Sequence, residues 1–380
     1  MPAMRVTLVN RLAGIHRGGG EIYDLCLAAA LGESGTQIEI ITGRPLISPP
    51  PAPVREAPAR YVRSPYLRGL AHRMGRAGWR VFDLDLRRFE RGALAALAAA
   101  RPRPEIVQIT GLPDLALEVE RSLGLPAVLL FPGPPSPRHR DTIRACSTVV
   151  GVGAVTPYLK ENFREDIHDM TAGVDTRLFR PGAASARARH MIPEDAPVVL
   201  YAGRLVPLKN LPLLVEAFAA LRRAVPACRF LVAGDGPLRA DLVAEAARAG
   251  LRRDGDGSLI LAGEIPHTEM PGYYASADLL VLTSLNESFS LVALEAMACG
   301  ICVLVPAVGY LPRLVEDGRT GFLYPAGDLL ALVDRATALL RDPATRRAIG
   351  ERARETALGR HSWAAVASEF NALYRKVLGG

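Results

Sequence analysis

Residues 277–308, "ADLLVLTSLNESFSLVALEAMACGICVLVPAV", decide how the chain folds. The run "ADLLVLTS" is almost wholly apolar and short, which reads as a strand buried on both faces. "CVLVPAV", from Cys302 on, reads the same way. Between them "NESFSLVALEAMACG" is mostly small and apolar, as a buried helix is. Strand, helix and strand at this spacing make one crossover unit of a parallel sheet. Two carboxylates interrupt the apolar pattern, Glu287 and Glu295. On a single helix eight steps leave them about 80° apart. Glu287 fits better in the loop just past the strand's carboxyl end, with Glu295 on the second helical turn, so that both face one cleft. Between them the Phe289, Ser290 and Leu291 amides read as the free donors of a helix N-terminus. The other reading of Glu295 is a solvated outer-face residue. Its neighbours Leu294, Ala296, Met297 and Ala298 stand against that.

The same alternation runs upstream. "PVVLYAG" from Pro197, "CRFLVAG" from Cys228 and "SLILAG" from Ser258 read as strands, with "NLPLLVEAFAAL" and "DGPLRADLVAEAARAG" as helices between them. The first half repeats the architecture without a clear sequence repeat. "RVTLVN" from Arg5 and "QIEIITG" from Gln37 are strand-like, followed by candidates at Ile106–Thr110, Ala127–Phe131 and Thr148–Val152. Residues 173–182, "GVDTRLFRPG", and the polar stretch after them read as a domain junction. The Pro-rich residues 45–66 read as a long loop, because so many prolines preclude a central strand or an ordinary helix. The picture is two doubly wound domains facing a cleft, with ligands beyond the carboxyl ends of the strands.

The 380 residues are too many for one hydrophobic core, which seldom grows past roughly 300 residues. Hydrophobic residues at 49% and charged residues at 22% are an ordinary globular balance. The net charge of +7 reflects an Arg-rich, Lys-poor composition. No basic run is interleaved with aromatics, so no nucleic-acid partner is expected. A weak electrostatic attraction to an anionic membrane face stays open, which keeps peripheral membrane contact among the expectations. No signal peptide and no membrane-spanning run is read, and five scattered cysteines fit reduced thiols, so the expected location is the cytoplasm. Cys299 and Cys302 form a lone C-x-x-C without a second ligand pair, and no histidine pair has metal-ligand spacing; no metal is expected.

Two further stretches sit where ligands bind. Gly18, Gly19 and Gly20 follow the first strand and precede a helix. They fit a phosphate approached by backbone amides and equally a plain tight turn. In "YAGRLVPLKN", residues 201–210, Arg204 ends a strand and Lys209 stands at a helix start, where a cation opposes the helix dipole. That mismatch predicts an anionic partner for Lys209. Two cations and helix amides at one strand end suffice to neutralise a diphosphate without metal. A pair of solvated surface charges is the alternative.

Taken together these residues resemble the retaining GT-B glycosyltransferases of family 4, over most of the chain and in the family's order. "AGRLVPLKN" is similar to its G-R-x5-K-[GN] segment and "VAGDGPLR" to its G-D-G-P turn. Residues 273–309 resemble its large block with two glutamates, and "LVEDGRTGFLYPAGD" the region that follows. "GVDTRLFRPG" resembles its interdomain segment and "RGGGEIYDLCLAAAL" its N-terminal helix start.

The resemblance implies an α/β fold of GT-B type, with two Rossmann-like domains and a C-terminal helix crossing back to the N-domain. The boundaries expected are 1–180 for the acceptor-side domain, 181–360 for the nucleotide-sugar domain and 361–380 for the terminal helix. It implies an enzyme that transfers a sugar, with retention and without metal, from a UDP- or GDP-sugar to an acceptor hydroxyl. Arg204 and Lys209 would bind the donor diphosphate, and Glu287 the transferred sugar near the reacting centre. Glu295 would bind the ribose. Phe289, Ser290 and Leu291 would offer backbone amides, Gly18 and Gly19 would approach the diphosphate from the other domain, and Ile265 would lie near the base. The chain departs from the family pattern at residues 132–134, Pro-Gly-Pro, where many relatives carry a histidine; His139 lies further on. Thr283 replaces a common proline, Ser288 and Ser290 stand where glycine is common, and Tyr310 replaces a second glycine. The alternatives are a same-fold nucleotide-sugar epimerase or phosphorylase and, from another class, a non-catalytic nucleotide-sugar-binding subunit. The base, sugar, acceptor and oligomeric state are open.

Overall fold

The computed structural model describes residues 3–13, 19–44, 57–64, 75–252 and 257–379. Contacts divide the chain into two compact units, one of Met1–Gly173 with Trp363–Gly380, the other of Val174–Ser362.

The first unit is built on a parallel sheet of β1 (Arg5–Val9), β2 (Gln37–Arg44), β3 (Ala59–Arg63), β4 (Ile106–Thr110), β5 (Ala127–Phe131), β6 (Thr148–Val152) and β7 (His168–Met170). Their order across the sheet is 3-2-1-4-5-6-7, with every pairing parallel. β5 and β6 are buried at every residue, which is why they read as continuous apolar runs rather than alternating ones. Helices α1 (Gly19–Glu33), α2 (Gly75–Ala98), α3 (Pro113–Glu118), α4 (Arg140–Ala145) and α5 (Val155–Asn162) supply the crossovers. Phe89, Ala93 and Leu97 of α2 pack with Leu115 and Ala116 of α3 on Val107, Ile109 and Leu129 of the sheet.

The Pro-rich residues 45–66 are not all loop. Residues 45–56, 65 and 66 lie outside the described ones, but β3 pairs in register with β2, Ile40 opposite Ala59 and Arg44 opposite Arg63. The stretch between Pro58 and Pro65 contains no proline, and as the edge strand it needs only one ladder, so the flanking prolines do not forbid it.

The terminal helix, Trp363–Val377, packs on α1. Tyr23 meets Trp363 edge-on at 5.3 Å between ring centroids, and Phe370 at 6.5 Å. Beneath them runs a buried polar chain. The Tyr374 hydroxyl donates to Gln108 Oε1 at 2.6 Å, Gln108 Nε2 faces Asp24 Oδ1 at 3.5 Å, and Asn10 Nδ2 donates to Asp24 Oδ2 at 2.5 Å. Burial and the Asp24 charge push the Tyr374 phenol well above its ordinary value, so it stays a donor.

The second unit carries a six-stranded parallel sheet of β8 (Val198–Ala202), β9 (Arg229–Ala233), β10 (Leu259–Gly263), β11 (Leu279–Val281), β12 (Val303–Pro306) and β13 (Phe322–Tyr324), in the order 10-9-8-11-12-13. Helices α6 (Leu211–Ala224), α7 (Arg239–Arg248), α8 (Met270–Ala275) and α9 (Leu291–Ala298) follow its strands. The order reverses between β8 and β11. In open parallel sheets such a switch point is where ligands bind, past the carboxyl ends of the two strands. Among the described residues no helix is long and apolar enough to cross a membrane.

Tyr374→Phe leaves the buried Gln108 oxygen without its donor. The expected cost is about 1–3 kcal/mol, read as a lower urea midpoint at unchanged slope; an unchanged midpoint contradicts the role given to this chain.

Candidate functional site

The loops after β8 and β11 meet at the switch point of the second sheet. After β8 the chain passes Arg204, makes a 3-10 turn at Pro207–Lys209 and enters α6 through Asn210 in left-handed conformation. The Leu285 amide donates to the Leu208 carbonyl at 2.9 Å and the Thr283 hydroxyl to the Lys209 carbonyl at 2.8 Å. Threonine at 283 thus ties the two loops together, which a proline there lacks the hydroxyl to do.

Lys209 has the anionic partner that its position predicts. Its Nζ lies 2.5 Å from Glu287 Oε1, which also accepts from the Ser284 hydroxyl at 2.6 Å. The side chains are 22% and 10% exposed. Removing one partner of so enclosed a pair typically costs about 3–5 kcal/mol, because the other charge is left stranded. Both bonds fall on Oε1. Glu287 Oε2 has no protein partner among the described residues and is open to a ligand hydroxyl. Arg204 is exposed and likewise pairs with no carboxylate among the described residues. Its carbonyl accepts from the Tyr201 hydroxyl at 3.3 Å. Burial and the nearby Glu287 charge push that phenol up.

The loop that carries Arg204 rests on the turn after β9. Gly203 donates to the Ala233 carbonyl and Leu205 to the Asp235 carbonyl, each at 2.9 Å. A Cβ on Gly234 would sit 1.9 Å from the Gly203 oxygen, so only glycine lets the two loops approach this closely. Glu287 is backed in the same manner. Its carbonyl accepts from the Tyr310 amide at 2.9 Å, and a Cβ on Gly309 would lie 1.9 Å from that carbonyl oxygen.

α9 begins later than its sequence suggests. Ser290 is its N-cap, with φ 73° and no side-chain cap, and Leu294 makes the first bond back, to the Ser290 carbonyl. The unsatisfied first-turn amides are therefore those of Leu291, Val292 and Ala293. Phe289 lies outside the helix; its ring is buried, stacked on Tyr310 at 4.7 Å. Glu295 is buried on the second turn rather than solvated. Its Oε2 accepts from the Tyr274 hydroxyl at 2.7 Å, and Oε1 lies 2.8 Å from His267 Nε2. Glu287 and Glu295 are thus held by different partners: Lys209 and Ser284 for one, Tyr274 and His267 for the other.

Ile265 is half-buried in the loop after β10, two residues before His267. That loop is joined to the turn after β9 by the Gly234 amide, which donates to the Gly263 carbonyl at 2.7 Å. Metal-ligand spacing does not single out His267 in the sequence. Its place in "GEIPH", beside Ile265, was the available signal. Tyr274 was marked only by being a tyrosine in an apolar segment, whose hydroxyl needs a partner once buried. Cys299 and Cys302 are buried thiols, each pushed up to about 12 by burial, and behave as small core residues.

In the first unit Gly18 lies outside the described residues, and Gly19 opens α1. His139 closes a 3-10 turn after β5 and accepts from Arg138 Nε at 3.2 Å. It lines a cavity of about 350 Å³ with Asp83, Arg87, Glu90, Asp114 and Arg138. Arg138 pairs with Asp83 at 3.3 Å, and Asp114 accepts from Thr142 at 3.1 Å. Burial, with the Asp114 charge, raises the Glu90 carboxyl from 4.5 to about 7.

Two outcomes test this geometry. Ser290 carries a left-handed strain of about 1–2 kcal/mol that glycine relieves, so Ser290→Gly raises thermal stability while Gly309→Ala, which drives a Cβ into Glu287, lowers it; equal melting temperatures in the two variants contradict the description. Glu90 is bound to its proton more tightly in the folded state than unfolded. Its contribution is full below pH 4.5 and is lost as pH rises through about 7. Glu90→Gln is therefore expected to gain on the order of 1–3 kcal/mol over the wild type at pH 8 and nothing at acid pH, by urea unfolding at both.

The model of the family described as glycosyl transferases group 1 matches residues 183–356. A D-inositol 3-phosphate glycosyltransferase of Arthrobacter is 31% identical over 369 residues, 88% of this chain and 85% of that protein. A protein of the same name from Kineococcus radiotolerans is 37% identical over 224 residues, 54% of this chain. The chain spans about half the length of this relative and of several others so named. The solved structure of Anabaena HepE in complex with UDP and glucose is similar over 98% of this chain and 100% of that one, with a TM-score of 0.75 and 17% identity.

Proposed function

Since the chain belongs to the glycosyl transferases of group 1, we propose that it transfers a sugar from a nucleoside-diphosphate sugar to an acceptor hydroxyl, with retention at the anomeric carbon and without a metal ion. One observation carries this reading: two cations, Arg204 and Lys209, and the unsatisfied first turn of α9 lie on loops at the switch point of one sheet, with Glu287 between them. Such a set favours a phosphate-bearing anion.

In this reading Arg204, Lys209 and the Leu291 to Ala293 amides hold the diphosphate and take up its growing negative charge as the bond from the sugar's anomeric carbon breaks. Glu287 has two tasks, one for each oxygen. Oε1 holds Lys209 in place, and Oε2 accepts from a hydroxyl of the transferred sugar. Glu295 binds the ribose, and Ile265 lies by the base. The acceptor oxygen attacks from the face that the diphosphate leaves, and its proton passes to the departing phosphate oxygen. The structure named for UDP and glucose makes UDP-glucose the first donor to try. Acceptor binding is proposed for the first unit.

The test is release of nucleoside diphosphate from UDP- and GDP-sugars over an acceptor panel. Wild-type enzyme is expected to turn over in the presence of EDTA. Lys209→Ala and Glu287→Gln are each expected to lose about 10²–10³-fold in rate. Full turnover by either variant overturns the residue assignments, and donor consumption that needs no acceptor overturns the transfer reading.

A further inference from the structure

Both oxygens of Glu295 are occupied, but the two partners differ in kind. Tyr274 is wholly buried on α8, and burial together with the Glu295 charge pushes its phenol well above the ordinary value. Its hydroxyl has only one other acceptor among the described residues, the Val292 carbonyl at a long 3.4 Å, so taking Glu295 away would leave a buried donor poorly satisfied at a cost of about 1–3 kcal/mol. His267 stands in a one-turn 3-10 segment, His267–Glu269, with 58% of its side chain exposed. Besides Glu295 it touches the Phe179 ring, edge-on at 4.9 Å between centroids. It can turn into water without opening the core. A ribose presents two adjacent hydroxyls, each a donor in search of an acceptor oxygen. Of the two oxygens on Glu295, only Oε1 can be released at low cost.

We propose that His267 is a displaceable stand-in for the donor ribose: in the empty site it holds the Glu295 carboxylate through Oε1, and it yields that oxygen to a ribose hydroxyl when a nucleotide sugar enters. The proposal rests on the reading of Glu295 as the ribose ligand.

A linkage to protons follows. The charged groups that act on His267 are Glu295 from α9 and Asp175 from the segment that opens the second unit. On its own turn, Glu269 is engaged by Arg189 at 2.7 Å. The hydrogen bond and charge of Glu295, helped by Asp175, raise the imidazole above its ordinary value against the opposing effect of partial burial. The charged pair therefore exists below that raised value and is lost as pH rises through it. Displacement returns the ring toward its ordinary value, so at pH values between the two, entry of the donor expels a proton. Acid strengthens the internal pair and weakens donor binding.

Isothermal titration of the whole protein with UDP-glucose, GDP-mannose and ADP-glucose tests this, near pH 5.5 and near pH 8. Their diphosphates are esterified at both ends and lack the terminal phosphate ionisation near pH 6 that would obscure the result. Wild-type protein is expected to bind its preferred donor about threefold or more weakly at the acid pH. At a pH between the ring's ordinary and raised values, its binding heat should vary with the buffer's ionisation heat in the sense of proton release. His267→Ala and His267→Gln are expected to bind with the same affinity at both pH values, and His267→Ala more tightly than wild type at the acid one. A flat wild-type profile, or an alanine variant that keeps the wild-type slope, overturns the proposal while leaving the donor site intact. So does an alanine variant that binds more weakly near pH 8, because the ring would then be a donor contact. Unimpaired binding by Glu295→Gln, or no binding of any of the three donors by wild type, overturns the ribose assignment itself and the proposal with it.

Discussion

The contact between Lys209 and Glu287 is the constraint on which the second unit's switch point depends. It joins the loop after β8 to the loop after β11, which are neighbours only because the strand order reverses there. The Thr283 hydroxyl and the Leu285 amide reinforce the same junction. An ammonium ahead of a helix N-terminus is unfavourable alone. Glu287 offsets that locally, while Arg204 on the same loop as Lys209 is exposed and pairs with no carboxylate among the described residues.

Glycine and serine set the precision of that arrangement. At Gly234 and Gly309 the backbone comes close enough to a neighbouring carbonyl to forbid a Cβ. Ser290 accepts left-handed strain where glycine would not have to. The loops are held by backbone contact and the helix start by a fixed cap, so the amides of α9 keep their aim without a side chain to hold them.

Much of this could be read from residues alone. Apolar runs such as "ADLLVLTS" and "PVVLYAG" mark buried parallel strands, and their spacing marks the crossovers, so the α/β architecture followed directly. The predicted anion for Lys209 followed from helix electrostatics. What escaped was whatever depended on distant partners or on a one-residue shift. β3 hid among prolines, because edge position, which spares a strand one ladder, is not a local property. The start of α9 lies later than its sequence suggests because Ser290 gives no sign of its positive φ. His267 escaped because it pairs with a residue 28 positions away. The polar chain from Tyr374 to Asn10 spans nearly the whole sequence and leaves no local trace.

A crystal structure with an intact nucleotide sugar decides whether the second unit holds a diphosphate with its own cations and amides. Expected are diphosphate oxygens within hydrogen-bond reach of Arg204, Lys209 and the first-turn amides of α9, a sugar hydroxyl on Glu287 Oε2, and the ribose on Glu295. A diphosphate bound through a metal ion, or seated away from the switch point between β8 and β11, would contradict this arrangement.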